Sequence, residues 1–257
     1  MEADEYRKLA EVEDAMWYFR ALHGHVEHEL AQTLRRSAAA VLDAGCGTGG
    51  LIRRLMARRP AWRWTGVDLS PLACELARQR GGQTVEIKEA SVTALPFAEG
   101  VFDAVVSADV LYHVDDDEGA LREFFRVLRP GGAVVINVPA YRWLWSYHDE
   151  AVHSRRRYGR REMIAKLTAA GFTGVQATHW NTLPFPLVVA RRKLFPAPRD
   201  GSDVRLFAPP VEAGFNAAMA VERAWLSGVG RLPFGSSILA VARKPGTANR
   251  GPGNGVN

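Results

Sequence analysis

Apolar positions along the N-terminal part of the chain alternate between helical and strand periods. Leu9, Val12, Met16, Phe19 and Leu22 recur at three- and four-residue intervals with no proline between them, which predicts helix from Asp4 to Ser37. Ala39 to Ala44 reads as a short strand buried on both faces, followed by a glycine-rich turn and a helix from Thr48 to Arg58 that Pro60 stops. Trp62 to Asp68 is a second strand. Ser70-Pro71 opens a helix with a capping hydroxyl and a proline suited to the first helical position, and Gly81-Gly82 closes it. Thr84 to Ala90 and Phe102 to Ala108 read as strands. Asp115 to Leu128 reads as a helix ended by Arg129-Pro130-Gly131-Gly132, and Ala133 to Val138 as a fifth strand.

Strands that alternate with helices pair in parallel through right-handed crossovers, so the fold class is α/β with a doubly wound sheet. Arg160 to Ala170 continues the pattern as a helix with Gly171 as its stop. Val175 to Trp180 and Ile238 to Arg243 are the last two expected strands. Leu183 to Leu232, between them, is a basic, proline-punctuated and partly helical insertion. The run from Pro245 to Asn257 has no apolar anchors and is expected to be disordered.

Composition narrows the class without naming a function. The 257 residues are 47% hydrophobic and 24% charged with a formal net charge of +5, which fits an ordinary globular protein and does not call for nucleic acid. Two cysteines, Cys46 and Cys74, exclude a disulfide scaffold or a cysteine-rich zinc site. The acidic start, Met1 to Glu13, lacks a signal-peptide layout, and no apolar run reaches the ~18–20 residues of a spanning helix. A soluble, cytoplasmic protein is therefore expected.

The stretch Asp43-Ala44-Gly45-Cys46-Gly47-Thr48-Gly49-Gly50 carries most of the information. Glycines here let the backbone turn sharply and leave its N–H groups open to a ligand at a helix start; a tight turn without a ligand is the plain alternative. Two ligand classes compete. Gly45, Gly47 and Gly50 fit G-x-G-x-x-G, with Asp68 about twenty residues on as a ribose acid, which suits a dinucleotide. Gly45, Gly47 and Gly49 equally fit G-x-G-x-G behind the acid Asp43, which suits a nucleoside with an amino-acid tail.

The motifs Val41-Leu42-Asp43-Ala44-Gly45-Cys46-Gly47-Thr48-Gly49, Gly66-Val67-Asp68-Leu69-Ser70, Ala94-Leu95-Pro96-Phe97, Phe102-Asp103-Ala104-Val105-Val106-Ser107 and Val127-Leu128-Arg129-Pro130-Gly131-Gly132 follow one another in this order. Together they resemble the class I S-adenosylmethionine (SAM)-dependent methyltransferases, in the small-molecule subgroup related to the ubiquinone and menaquinone methyltransferases. The resemblance is close over Ala39 to Ala140. It implies a seven-strand Rossmann-like methyltransferase sheet with one antiparallel edge strand, an N-terminal helical cap (1–38), a SAM-binding domain (39–244) with the insertion 183–232 before its last strand, and a tail (245–257).

It also implies site roles. Gly45, Gly47 and Gly49 would floor the methionine part of SAM, and Asp43 would hold its amino group. Asp68 would accept from both ribose hydroxyls, and Leu69 would pack on adenine. Ser91 and Val92 stand where relatives carry Asp-Ala, so Ser91 replaces an acid expected at the adenine amino group. Ser107 and Ala108, with Asp109 after them, would meet the methionine end. Tyr18 or Trp17 of the cap would line the pocket, with ordinary helix packing as the rival. A nicotinamide-dependent oxidoreductase and a non-catalytic SAM-binding partner subunit remain alternatives to the enzyme.

Groups that could handle a proton are fewer. His113 follows the fourth strand on the edge where open α/β sheets place their sites; its other reading is a packing or capping histidine. Tyr141, Trp143 and Trp145 read either as a substrate lid, with His148 or His153 as general base, or as an aromatic cluster on the N-terminal helix. His148 and His153 are five apart, off the spacing that puts two ligands on one helix face, and no metal is expected. The runs Arg155-Arg156-Arg157-Tyr158-Gly159-Arg160-Arg161 and Arg191-Arg192-Lys193 mark a solvated basic face, an acidic or phosphate-bearing acceptor, or a membrane surface next to the apolar Leu183 to Ala190 stretch. The expected acceptor is a small aromatic, lipid-like or acidic molecule, or a modified sugar or natural product. Nucleic acid is not expected, because the fourth strand is followed by Ser107-Ala108-Asp109-Val110 rather than the Asn/Asp-Pro-Pro-aromatic run of the nucleic-acid amino-methylating enzymes of this fold.

Overall fold

The computed structural model describes residues 3–34, 37–196 and 203–246. Its centre is a seven-stranded sheet: β1 (Ala39–Ala44), β2 (Trp62–Asp68), β3 (Glu86–Glu89), β4 (Phe102–Ala108), β5 (Leu128–Pro139), β6 (Thr173–Trp180) and β7 (Ser237–Arg243). The spatial order is β3-β2-β1-β4-β5-β7-β6. Side chains alternate across it: Val41 and Val106 enter one core layer, Leu42 and Val105 the other. Both faces of β1, β4 and β5 are covered, which explains why these strands read as unbroken apolar runs rather than alternating ones.

The sheet differs from expectation at one end. β7 is antiparallel, as expected of one strand, but it is not at the edge: it pairs with β5 on one side and β6 on the other, and β6 is the edge. The return from β6 runs through α8 (Phe185–Leu194) and α9 (Pro209–Val229) and brings the chain back in the opposite direction into the gap beside β5. β5 also begins earlier than the turn signal suggests. Leu128 already pairs with Phe102, residues 129–132 loop out around Gly131 (φ 81°), and pairing resumes at Ala104–Ala133.

The long N-terminal helix is two helices, α1 (Ala3–Val12) and α2 (Trp17–Thr33). Acids sit at the break. Glu13 turns inward to Thr48 Oγ1 (2.5 Å) and Arg80 Nη1 (2.7 Å), and Asp14 joins Arg80 Nη2 (2.5 Å). The path departs from helix at Met16, which is extended (φ −64°, ψ 128°). α3 (Gly50–Arg58) and α4 (Pro71–Gly81) lie near their predicted bounds, and Ser70 Oγ accepts from the Ala73 N–H as the cap. α5 (Asp117–Val127) is capped by Asp116 through the Gly119 N–H (2.7 Å).

The described residues of the insertion include two helices, α8 and α9. α9 packs along α2, where the Trp17 and Phe215 rings stack at 4.7 Å. Glu222 of α9 is buried and accepts from the backbone N–H groups of Asn181, Thr182 (2.7 Å) and Leu183 (3.2 Å), which fixes the turn into α8. Between β5 and β6 lie the short helix α6 (Tyr147–Ala151) and α7 (Arg160–Ala169), the latter closed at Gly171 (φ 98°). The expected disorder of the tail concerns residues of which 247–257 lie outside the described ones.

Candidate active site

The carboxyl ends of β1, β2 and β4 meet the cap helices around a cavity of about 960 Å³. At the β1 end the Gly45 and Cys46 N–H groups both donate to the Val67 carbonyl (2.8 Å each), so the chain reverses tightly and Gly45 is left-handed (φ 91°). A Cβ on Gly45 would sit 2.3 Å from Val110 Cγ2, so only glycine fits. Gly47 (φ 52°) donates its N–H to Asp68 Oδ2 (2.9 Å), while Asp68 Oδ1 takes the Ser70 N–H (2.9 Å) and the Tyr6 hydroxyl (3.4 Å). A carboxylate has about four lone-pair directions. The Gly47 and Ser70 N–H groups hold Asp68 in place, and the long Tyr6 contact (3.4 Å) is the one that a donor from the cavity side would displace.

Asp43 is 2% exposed and also lines the cavity. Burial, reinforced by the nearby Glu13 and Asp68 carboxylates, raises its pKa to about 8. Such a site favours a cation. Leu69 lies at the rim and is 72% exposed, a large apolar surface facing the cavity with no protein neighbour covering it.

Gly49 and Gly50 behave differently. Gly49 (φ 79°) precedes α3, and a Cβ there would meet Ala77 Cα at 3.0 Å, so its smallness serves helix packing and it lies off the cavity wall. At Gly50 a Cβ would fall 2.1 Å from Glu13 Cδ. The Glu13 carboxylate thus sits on the first turn of α3, the position where a dinucleotide fold binds its pyrophosphate. The Glu13 side chain, paired with Arg80, therefore fills the space that a dinucleotide's pyrophosphate would need.

The comparisons with known proteins agree. Residues 42–136 match the family model described as a methyltransferase domain. These residues form a class I SAM-dependent methyltransferase domain. Relatives extend beyond it: the chain is 32% identical over 166 residues to a malonyl-[acyl-carrier protein] O-methyltransferase of Enterobacter lignolyticus, covering 61% of this chain and 62% of that protein. It is 39% identical to a demethylmenaquinone methyltransferase of Thermus thermophilus, covering 40% and 48%. Among solved structures, a chain of the complex between the Haloferax volcanii Trm112 methyltransferase activator and the putative methyltransferase aligns with a TM-score of 0.63 at 22% identity, over 95% of this chain and 96% of that one. Geranyl diphosphate C-methyltransferase from Streptomyces coelicolor, solved with Mg²⁺, geranyl diphosphate and S-adenosylhomocysteine, aligns with a TM-score of 0.59 at 19% identity, over 88% and 79%. These likenesses at low identity concern the fold.

The methyltransferase domain takes SAM as its cofactor, and the cavity fits that molecule. Two glycines without side chains, a two-oxygen acceptor at Asp68, an exposed apolar side chain at Leu69 and a cation-seeking acid at Asp43 line one end together. Ser91, Val92 and Ala108 line it as well. Ser91 Oγ is already engaged with Thr93 Oγ1 (2.7 Å) and the Thr93 N–H (3.2 Å). Ser107 points elsewhere: it is fully buried off the cavity, and its hydroxyl has no partner among the described residues.

The cap contributes more than the sequence suggested. Tyr18 and Trp17 both reach the cavity, and so do Tyr6 and Leu9 of α1. Tyr18 donates to Asp109 Oδ2 (3.0 Å), Asn137 Nδ2 donates to Asp109 Oδ1 (2.8 Å), and Trp180 Nε1 donates to Asn137 Oδ1 (2.7 Å). Asp109 adopts a left-handed backbone (φ 58°), and burial raises its pKa to about 6 despite these donors. A non-glycine residue in that region costs about 1–3 kcal/mol and is found where the surroundings force it.

The candidate bases separate. His113 and His148 line the cavity; His153 and Tyr141 do not. His153 is exposed and left-handed (φ 55°), and it is its carbonyl that approaches His113 Nδ1 (3.3 Å). Tyr141 stacks on His179 (5.2 Å) and Trp143 (5.6 Å) and packs beside Phe185. The aromatic segment is therefore a cluster, as one reading held, but on α8 and β6 rather than on the N-terminal helix. Trp143 and Trp145 do not line this cavity either.

Proposed function

We propose that this protein transfers a methyl group from SAM to O, N or C of a small-molecule acceptor bound in the remote half of the same cavity, with His113 taking the acceptor's proton. Bound SAM supplies a methyl group already activated on a sulfonium. The protein's task is then to align the acceptor, exclude water and receive one proton. The observation that carries the reading is the continuity of a single cavity from Asp43, Gly45 and Asp68 to His113 and His148.

The two histidines differ in tautomer. A carbonyl only accepts, so Nδ1 of His113 holds the proton against His153 and Nε2 keeps a lone pair. Nδ1 of His148 accepts the Asp203 N–H (3.1 Å), so its Nε2 bears the proton and can only donate. Burial lowers the pKa of His113 to about 4, which leaves Nε2 unprotonated at pH 7 while making the ring a weak base.

Incubating the full chain with methyl-labelled SAM and a panel of quinols, fatty acids and prenyl phosphates tests the reading. Label should move to the small-molecule fraction, and His113→Gln should lower turnover by ~10²-fold or more while leaving SAM affinity in place. His148→Gln should cost far less. Tight SAM binding with no transfer to any member would instead favour a binding-only partner subunit.

A further inference from the structure

Charge is segregated along the cavity. The acids Glu5, Glu13, Asp43, Asp68 and Asp109 line the cofactor end. The arginines on the wall among the described residues are Arg155, Arg157, Arg191, Arg192 and Arg205, all from the chain after β5. On α8, Arg191 and Arg192 lie one turn beyond Leu187 and Val188 respectively, so the same helix face presents two apolar and two cationic side chains to the cavity.

Most of this positive charge is matched. Arg157 is 2% exposed and grips Asp149 with two bonds (2.7 and 3.0 Å), and Arg155 faces Asp115 at 3.5 Å. Arg192 holds Asp203 at 3.2 Å, and Asp203 also accepts the Tyr147 hydroxyl (2.8 Å). The remaining acid on this side, Asp116, faces Arg122 (3.6 Å). Arg191 and Arg205 are left over. Arg191 lies 5.2 Å from the Tyr147 ring centre and donates to the Pro196 carbonyl, and Arg205 lies 5.4 Å from the Phe207 ring centre. Among the described residues neither has a carboxylate within ion-pair distance.

A guanidinium held on an aromatic face has five N–H donors, so Arg191 has donors beyond the one given to Pro196 for a planar or tetrahedral oxyanion. We propose that Arg191 and Arg205 form an anion subsite for the acceptor, which is an amphipathic acid: a phosphate or carboxylate whose apolar body lies against Leu187, Val188 and Phe207. The inference rests on the methyltransferase reading for the word acceptor, and on the cavity wall alone for the anion. Arg192 and Arg157 position the wall, because their own charges are spent on Asp203 and Asp149.

The test is calorimetric titration of the full chain, with and without S-adenosylhomocysteine, by octyl phosphate, octanoate, octyl glucoside and inorganic phosphate below micellar concentrations. Octyl phosphate and octanoate should bind at least about tenfold more tightly than the neutral glucoside. Arg191→Gln combined with Arg205→Gln should remove that advantage, at about tenfold per guanidinium lost, and leave S-adenosylhomocysteine affinity unchanged. Equal binding of the glucoside, or full anion affinity in the double variant, overturns the proposal. Inorganic phosphate binding as tightly as octyl phosphate overturns the amphipathic class. A protein that binds the octyl anions but not S-adenosylhomocysteine leaves the subsite standing and refutes the cofactor-based reading instead.

Discussion

Replacing Asp43 by asparagine removes one charge with little change of shape and isolates the role of the buried acid. In the free protein the Asp43 pKa stands near 8, because burial and the neighbouring Glu13 and Asp68 disfavour its charge. At pH 7 about nine in ten molecules therefore carry the proton there. An ammonium group placed against Asp43 restores the charged form, so binding S-adenosylhomocysteine should release about 0.9 proton at pH 7, and affinity should rise about tenfold per pH unit between ~5 and ~8. Calorimetry in two buffers of different ionisation enthalpy reads the proton count directly.

Asp43→Asn should bind without this release and with a flatter pH profile. At pH 8 the variant should be weaker by ~10–100-fold, the worth of one charge-assisted hydrogen bond, and by pH 6 the two proteins should converge. Free-protein stability gives an independent sign. A carboxyl whose folded pKa lies above its unfolded value of 3.8 binds more protons when native, so its destabilising effect grows as pH rises from about 4 to 8. Asp43→Asn should therefore raise the melting temperature at pH 8 and leave it nearly unchanged at pH 4. Equal proton release in both proteins would refute the placement of the ligand cation at Asp43.

Two further outcomes follow from the same geometry. Gly45→Ala should abolish measurable S-adenosylhomocysteine binding, since its Cβ would collide with Val110 at 2.3 Å and its φ of 91° strains any side chain; adding Val110→Ala should relieve the collision and recover part of the binding by calorimetry, but not the strain. Arg157→Met should cost about 3–5 kcal/mol by leaving Asp149 buried and unpaired, and Asp149→Asn added to it should return much of the loss in a thermal melt.

The sheet was legible because buried parallel strands have unbroken apolar runs, and the turn after β1 because clustered glycines mark a sharp reversal of the backbone. What escaped the sequence depends on partners distant along the chain. Glu13 looks like one more helical acid until Thr48 and Arg80 are brought to it, and nothing local tells that the helix breaks beside it. Asp109 stands out only through its left-handed backbone and the Tyr18–Asn137 bonds. Gly49 and Ser107 satisfied a motif and yet face helix packing and core, because a motif fixes chain position but not which way a residue points. Tyr141 and His153 were drawn in by composition. Their segment packs on α8, an element whose place could not be read before the route of the insertion was known.

The position of β7 sets a schedule for folding. During synthesis the long β5 strand emerges with one edge unpaired, and roughly a hundred more residues, including all of β6, α8 and α9, must follow before β7 can fill it. Until then the apolar β5 edge facing away from β4 is open to other chains. The waiting interval, rather than the stability of the finished sheet, is where this protein is most exposed to misassembly, and slowing translation after residue 243 should protect less than speeding it between 140 and 236.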